Sequence, residues 1–142
     1  MISRALARRL HRAGLAWEPR NGDQFFIPDR DLDEVVFSVS EMSVDVQEID
    51  GRHLIAFNGT VEWALDAIMK REVVWLPSEE QLRNRLRGAF VSLARTESGY
   101  RCVIAHGDER LAFDAHEAAD AYARALLHEL EQDRQPVRSQ GA

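Results

Sequence analysis

The chain has 142 residues, 45% apolar and 30% charged, with a formal net charge of −6, ordinary values for a globular protein that buries roughly two thirds of its unfolded surface without disulfide or metal support. The acidic balance argues against general nucleic-acid binding, and the apolar runs are far shorter than the ~20 residues needed to span a bilayer. Arg8-Arg9 is followed by Leu10-His11-Arg12-Ala13-Gly14 rather than an apolar h-region, so no twin-arginine export signal is read and a cytoplasmic location without membrane association is expected.

The charge is unevenly placed. Residues 1–20 hold five Arg against one acidic residue, whereas residues 21–50 hold nine acidic residues against Arg30 alone. Docking of the basic block on the acidic one competes with recruitment of an anionic partner by the arginines. Lys70 is the only lysine beside seventeen arginines, a composition typical of a high-GC bacterial genome.

Ser3 to Ala13 has the spacing of an amphipathic helix, with Ile2, Leu6, Leu10 and Ala13 on one side, Arg4, Arg8 and Arg12 on the other, and Gly14 as its stop. Pro19 keeps the Trp17-Glu18-Pro19 stretch out of a central strand, Asn21-Gly22 marks a turn, and Gln24 to Ile27 is expected as a short edge strand. Asp29, Asp31 and Asp33 echo a calcium loop, but Glu34 and Ser40 stand where the turn glycine and the bidentate glutamate belong, so a solvated acidic loop is the better reading. Strands over 34–40 and 42–49 lead to Asp50-Gly51, whose two-residue hairpin sets Glu48 opposite His53, Val46 opposite Ile55 and Val44 opposite Phe57. That register makes His53 structural.

The stretch 58–82 reads as the organising segment: a helix over Thr60 to Lys70, a strand over Glu72 to Leu76 buried on both faces, and a helix over Glu79 to Arg87 with a Ser78/Gln81 capping box and Gly88 as its stop. Along that last helix Glu79, Arg83 and Arg87 are expected to pair outward. Trp63 falls opposite the apolar side formed by Val61, Leu65 and Ile68. It is expected to be covered by the N-terminal helix and Trp17; left open, it would be a partner contact. The sequon Asn58-Gly59-Thr60 has no meaning without secretion.

A second meander over 90–96, 100–106 and 110–113 is expected to collect Val91, Leu93, Cys102, Ile104, Leu111 and Phe113 on one face. Cys102, the lone cysteine, is read as a small buried hydrophobe. The closing helix, Ala115 to Glu131 with an Asp114/Glu117 capping box, would offer Ala118, Ala119, Tyr122, Leu126 and Leu130 to that face and an exposed stripe of His116, Asp120, Arg124 and His128. His116-Glu117-Ala118-Ala119-Asp120 lacks the second histidine of a zincin helix. Residues 133–142 read as a disordered tail. An ungapped match of 44–58 with 100–114 superposes Gly51 on Gly107, which an internal duplication and the shared demands of hairpin-to-helix geometry explain equally well.

The expected fold is therefore α+β: one domain over 1–132 with an N-terminal helix, two antiparallel meanders each followed by a helix, and a central helix-strand-helix segment. Two blocks, Trp17-Glu18-Pro19-Arg20 through Phe26-Ile27-Pro28 and Trp75-Leu76-Pro77 through Glu80-Gln81-Leu82, with Phe57-Asn58-Gly59-Thr60 and Glu62-Trp63-Ala64-Leu65 between them, resemble a family of short uncharacterised proteins from high-GC bacteria. Some members are labelled "pilus assembly protein". That label implies an ATPase-like partner domain, and no G-x-x-x-x-G-K-[ST] loop is present here to support it. The resemblance implies no catalytic residue.

No catalytic, metal or nucleotide motif emerges, and no cofactor is expected. The leading functional reading is a non-catalytic protein-interaction or regulatory domain with a protein partner or self-association, because the residues out of place are an aromatic and an arginine stripe. The alternative is a small-ligand-binding protein or hydrolase with a pocket walled by Trp17, Trp63 and Trp75, in which Glu18 or Glu62 is the polar group. A third class is nucleic-acid binding through Arg4, Arg8 and Arg12.

Overall fold

The computed structural model describes residues 1–28, 35–39, 45–49, 52–56 and 73–134, with 45–49, 52–56 and residue 134 described by backbone alone. In chain order the elements are α1 (Arg4–Arg12), β1 (Gln24–Phe26), β2 (Phe37–Ser38), β3 (Asp45–Ile49), β4 (Arg52–Ala56), β5 (Val74–Leu76), α2 (Glu79–Leu86), β6 (Phe90–Arg95), β7 (Tyr100–His106), β8 (Glu109–Ala115) and α3 (Ala118–Arg134). The protein is α+β. Its antiparallel strands form the sheets β2-β1-β5 and β6-β7-β8 and the hairpin β3-β4. The chain divides into two compact units, residues 17–76 and residues 1–16 together with 77–142.

In the unit formed by 17–76, β1 is the middle strand, flanked by β2 and β5. The expected edge position is thus corrected: Pro19 lies ahead of the strand, and Gln24 and Phe25 pair on both sides, with Ser38 and Phe37 and with Leu76 and Trp75. Asp23 fixes the approach. Its buried carboxylate accepts from the Trp17 indole Nε1 at 2.9 Å and from the Arg20 backbone N–H at 3.0 Å, so the turn that Asn21-Gly22 announces, with Gly22 at φ 93°, is closed by a side chain. Phe25, Ile27, Val39 and Val73 form the core, with Trp17 and Phe37 packed against it. Val74, Trp75 and Leu76 are all buried, as the doubly apolar pattern of β5 requires. In the β3-β4 hairpin Glu48 pairs with His53 and Val46 with Ile55, the register expected from a two-residue loop. Val44, Asp50-Gly51, Phe57, the acidic loop 29–34, the sequon, and the 60–70 helix with Glu62 and Trp63 lie outside the described residues.

In the other unit α3 is the element on which α1, α2, β7 and β8 all pack, so among the described residues the organising role falls to this helix. Ala118, Ala119, Ala121, Tyr122, Ala123, Ala125, Leu126 and Leu127 are buried nearly all round it. The alanines explain the close approach of several neighbours at once, since a helix without bulk on its flanks can be surrounded. α1 is capped at both ends: Ser3 Oγ accepts from Leu6 N–H, and at the far end Gly14 (φ 96°) and Leu15 donate to His11 and Leu10 carbonyls in a Schellman arrangement. Its apolar side, Leu6, Ala7 and Leu10, is buried, and the Ser3 N–H donates to Asp120 Oδ1 at 2.7 Å. This apolar side packs on α3; Trp63, which it is expected to cover, lies outside the described residues.

α2 carries the Ser78/Gln81 capping box, with Leu82 and Leu86 buried. It does not stop on Gly88. Arg87 takes φ 52°, ψ −133°, and a short 3₁₀ turn follows over Arg87–Ala89, which removes Arg87 from the outward row with Glu79 and Arg83. Arg83 instead reaches Tyr122 Oη on α3 at 3.5 Å. Because an L-residue is strained at that backbone geometry, Arg87→Gly is expected to raise stability by about 1 kcal/mol in chemical denaturation; an unchanged midpoint would mean that the arginine side chain offsets the strain.

The β6-β7-β8 sheet corrects one face assignment. Phe90 pairs with Ile104 but Ser92 pairs with Val103, so a bulge inserts one residue. Phe90 then takes the inner position beside Leu93, Cys102, Ile104, Leu111 and Phe113, and Val91 is displaced to 41% exposure. α3 begins at Ala118, later than the capping-box pattern suggests, because Asp114 and Ala115 belong to β8 and pair with Arg101 and Tyr100. Its end at Arg134 runs two residues into the expected tail, and 135–142 lie outside the described residues. The exposed stripe is reduced to Arg124: His116 precedes the helix, Asp120 holds Ser3, and His128 packs on Phe113 and His106 with centroids 5.4 and 6.0 Å apart.

β3 and β4 close on Ile49↔Arg52 and β7 and β8 on His106↔Glu109, so the match that superposes Gly51 on Gly107 sets the two loops one residue out of step. Gly107, at φ 60°, is the first loop residue and Asp108 the second, the order of a type II′ turn, whereas Gly51 is second after Asp50.

Candidate functional site

Of the residues singled out in the sequence, the structure brings Trp17 and Trp75 together. Their rings stack with centroids 6.1 Å apart and 9° between planes, and Trp17 meets Phe25 at 5.8 Å while Phe25 stacks on Phe37 at 5.4 Å. This continuous aromatic row follows from the cross-strand pairs Phe25↔Trp75 and Phe25↔Phe37 on either side of β1. Trp75 is 7% exposed and the Trp17 indole is committed to Asp23, so both rings serve the core of their unit. Glu18, next to Trp17 in the chain, is exposed.

Arg4 and Arg8 are half-buried and Arg12 is exposed on α1, and all three are engaged in interactions within the protein. Cys102 is fully buried, and burial pushes its thiol up to about 11. With so little thiolate and no access, it is expected to react with a thiol reagent in the folded protein only on the timescale of unfolding; rapid labelling without denaturant would contradict this.

Two surfaces escape a reading of the sequence alone. One is a cavity of about 370 Å³ at the β6-β7 turn, lined by Arg95, Thr96, Glu97, Tyr100, His116 and Glu117 among others. Gly99 makes it possible: a Cβ there would collide with the Ala115 carbonyl and lie 2.7 Å from His116 Cα, so only glycine lets the turn close on the strand end. His116 Nδ1 lies 3.1 Å from the Ser98 carbonyl, which fixes the ring with Nδ1 as donor. In the neutral ring Nε2 then keeps its lone pair. Arginine, phenol, imidazole and two carboxylates suit a small polar ligand; the only foretaste in the sequence is the Ser98-Gly99 turn.

The other is the outer face of the β6-β7-β8 sheet, the side turned away from α3. Ala94 and Ala112 are exposed on it, Ser92, Val103 and Ala105 half-buried, and Val91 joins them because bulge residues 91 and 92 both oppose Val103. Across it Arg101 and Asp114 pair as a fork, Nε to Oδ1 at 2.7 Å and Nη2 to Oδ2 at 2.9 Å. Comparisons with protein-family models, curated proteins and solved structures give no match. Among the described residues no group of three His, Cys, Asp or Glu side chains is placed to hold a metal ion.

The Arg101 hydrogen bonds, reinforced by its charge, hold Asp114 below the usual carboxylate range, and the guanidinium is raised in return. A depressed folded pKa contributes stability above the ordinary Asp value of ~3.9 that is lost as pH falls through the folded value. Both side chains are at least half exposed, so the contribution is small. The expected result is an NMR titration midpoint for Asp114 below that in Arg101→Ala, whereas equal midpoints would show that the pair does not persist in solution.

Proposed function

We propose that this chain is a non-catalytic protein-interaction or regulatory domain, and that its contact surface is the outer face of the β6-β7-β8 sheet. The observation that supports this reading is the exposure of Val91 by a bulge, beside a field of alanines and Val103 around one geometrically fixed ion pair. Apolar area organised around a single oriented charge pair is what a protein partner uses, the small side chains admitting close approach and the pair setting orientation. The resemblance to short proteins of high-GC bacteria and a cytoplasmic location belong to the same proposal, as neither brings a catalytic residue. Among the described residues no helix is long and apolar enough to cross a membrane.

A photo-reactive amino acid placed at Val91 tests the reading in cells. It should give a discrete adduct with another protein that is lost on adding Ala94→Glu, while the same group at Arg124 gives none. Equal adducts from both positions would reject the face as a specific surface. The second reading, a small polar ligand, has one observation in its favour, the cavity at Gly99. A ligand that raises the melting temperature of the parent protein but not of His116→Ala would establish it.

A further inference from the structure

The edge of the same sheet, rather than its face, carries a separate inference. β8 is terminal in the order β6-β7-β8. Its two-residue hairpin makes His106↔Glu109 a hydrogen-bonded pair, so Glu109, Leu111, Phe113 and Ala115 bond to β7 while the N–H and C=O groups of Arg110, Ala112 and Asp114 point away from the sheet. All three residues are exposed, and among the described residues their backbone groups take no other backbone hydrogen bond. The opposite edge, β6, is blunted by its bulge. β8 has seven residues and neither proline, lysine nor bulge to protect it.

We propose that β8 pairs antiparallel with β8 of a second copy of this chain, about a two-fold axis at Ala112, to give a continuous six-stranded sheet. Chemistry selects both partner and register. Antiparallel self-pairing that uses the outward groups admits few centres. Centring on residue 110 or 114 opposes Arg110 to itself or Asp114 to itself, and centring on residue 111 sets Asp108 against Asp114. Centring on Ala112 alone sets Arg110 opposite Asp114 of the second copy, twice, with Ala112 facing Ala112 at the axis. In that register the inner face also matches: Leu111 opposes Phe113, so that each inner row reads Cys102, Phe113, Leu111, Ile104 across the junction. Asp114 then lies between two guanidiniums, Arg101 of its own chain and Arg110 of the other, which a carboxylate with about four lone-pair sites accommodates. Three mutually bonded residue pairs form along the junction. The photo-adduct at Val91 does not depend on this edge.

The test is sedimentation of the full chain over a range of concentrations, together with three kinds of variant. The parent protein should associate to a dimer, and Ala112→Pro should be monomeric, since proline removes the outward N–H at the axis yet is tolerated on an edge strand. Arg110→Asp alters one exposed side chain and should weaken the dimer about tenfold by opposing Asp to Asp twice, which keeps the proposal testable should the proline variant fail to fold. Under mild oxidation Ala112→Cys should form an intermolecular disulfide, the residues at the axis being about 5.5 Å apart between Cα atoms. Ala94→Cys should not, and buried Cys102 leaves the background low. A parent protein monomeric at every concentration, a dimer unaffected by Arg110→Asp, or cross-linking through Ala94→Cys in place of Ala112→Cys would overturn it.

Discussion

Phe25→Ala is expected to lose about 3–5 kcal/mol of folding stability. Phe25 is 1% exposed, sits at the centre of the middle strand of its sheet, and contacts Trp17 on one side and Phe37 on the other. Truncation removes the ring from both contacts and leaves a cavity that two flanking aromatics, one held by Asp23, cannot collapse to fill. Urea denaturation followed by tryptophan fluorescence measures this, because all three tryptophans fall within residues 17–76. A loss under about 1 kcal/mol would mean that the aromatic row is not the core of its unit.

Leu10→Ala should cost about 2–5 kcal/mol. Leu10 is fully buried, and its helix packs on α3. The three described helices all belong to the unit of 1–16 and 77–142, so the loss should appear in the helical circular-dichroism transition. A variant as stable as the parent would show that α1 is an ornament on α3 rather than part of its core. The contrast with Arg8→Ala, which touches the other side of α1, should be several-fold.

What could be read in the sequence is what local chemistry decides. The extent of α1 and its Gly14 stop, the Ser78/Gln81 box, the Glu48↔His53 register and the burial of Cys102 each follow from a few neighbouring residues whose preferences agree. Phe90-Val91 shows where that fails. Both residues are apolar, so alternation is equally satisfied with either facing in, and only the pairing with β7 decides that Phe90 is inside. Asp114 is a second case, for it has the chemistry of a helix cap and of a strand ion pair alike. Arg101 across the sheet, thirteen residues back in the chain, settles the matter. The candidate surfaces are less legible still. Tryptophan is a residue type enriched at interfaces, yet Trp17 and Trp75 pack in the core of their own unit, and the exposed field around Val91 is made of small residues that carry no such signal singly.

The discontinuity of the unit that holds α3 has a consequence for how the chain is made. Ser3 donates to Asp120 across 117 residues, and α1 docks on a helix that begins only at Ala118. At about 5–20 residues per second of synthesis, α1 emerges with Leu6 and Leu10 uncovered for roughly 6 to 23 s before its docking surface exists. During that interval residues 17–76, a unit with its own core, can already be folding. The nascent helix is thus amphipathic, arginine-rich and without its mate until α3 has been made.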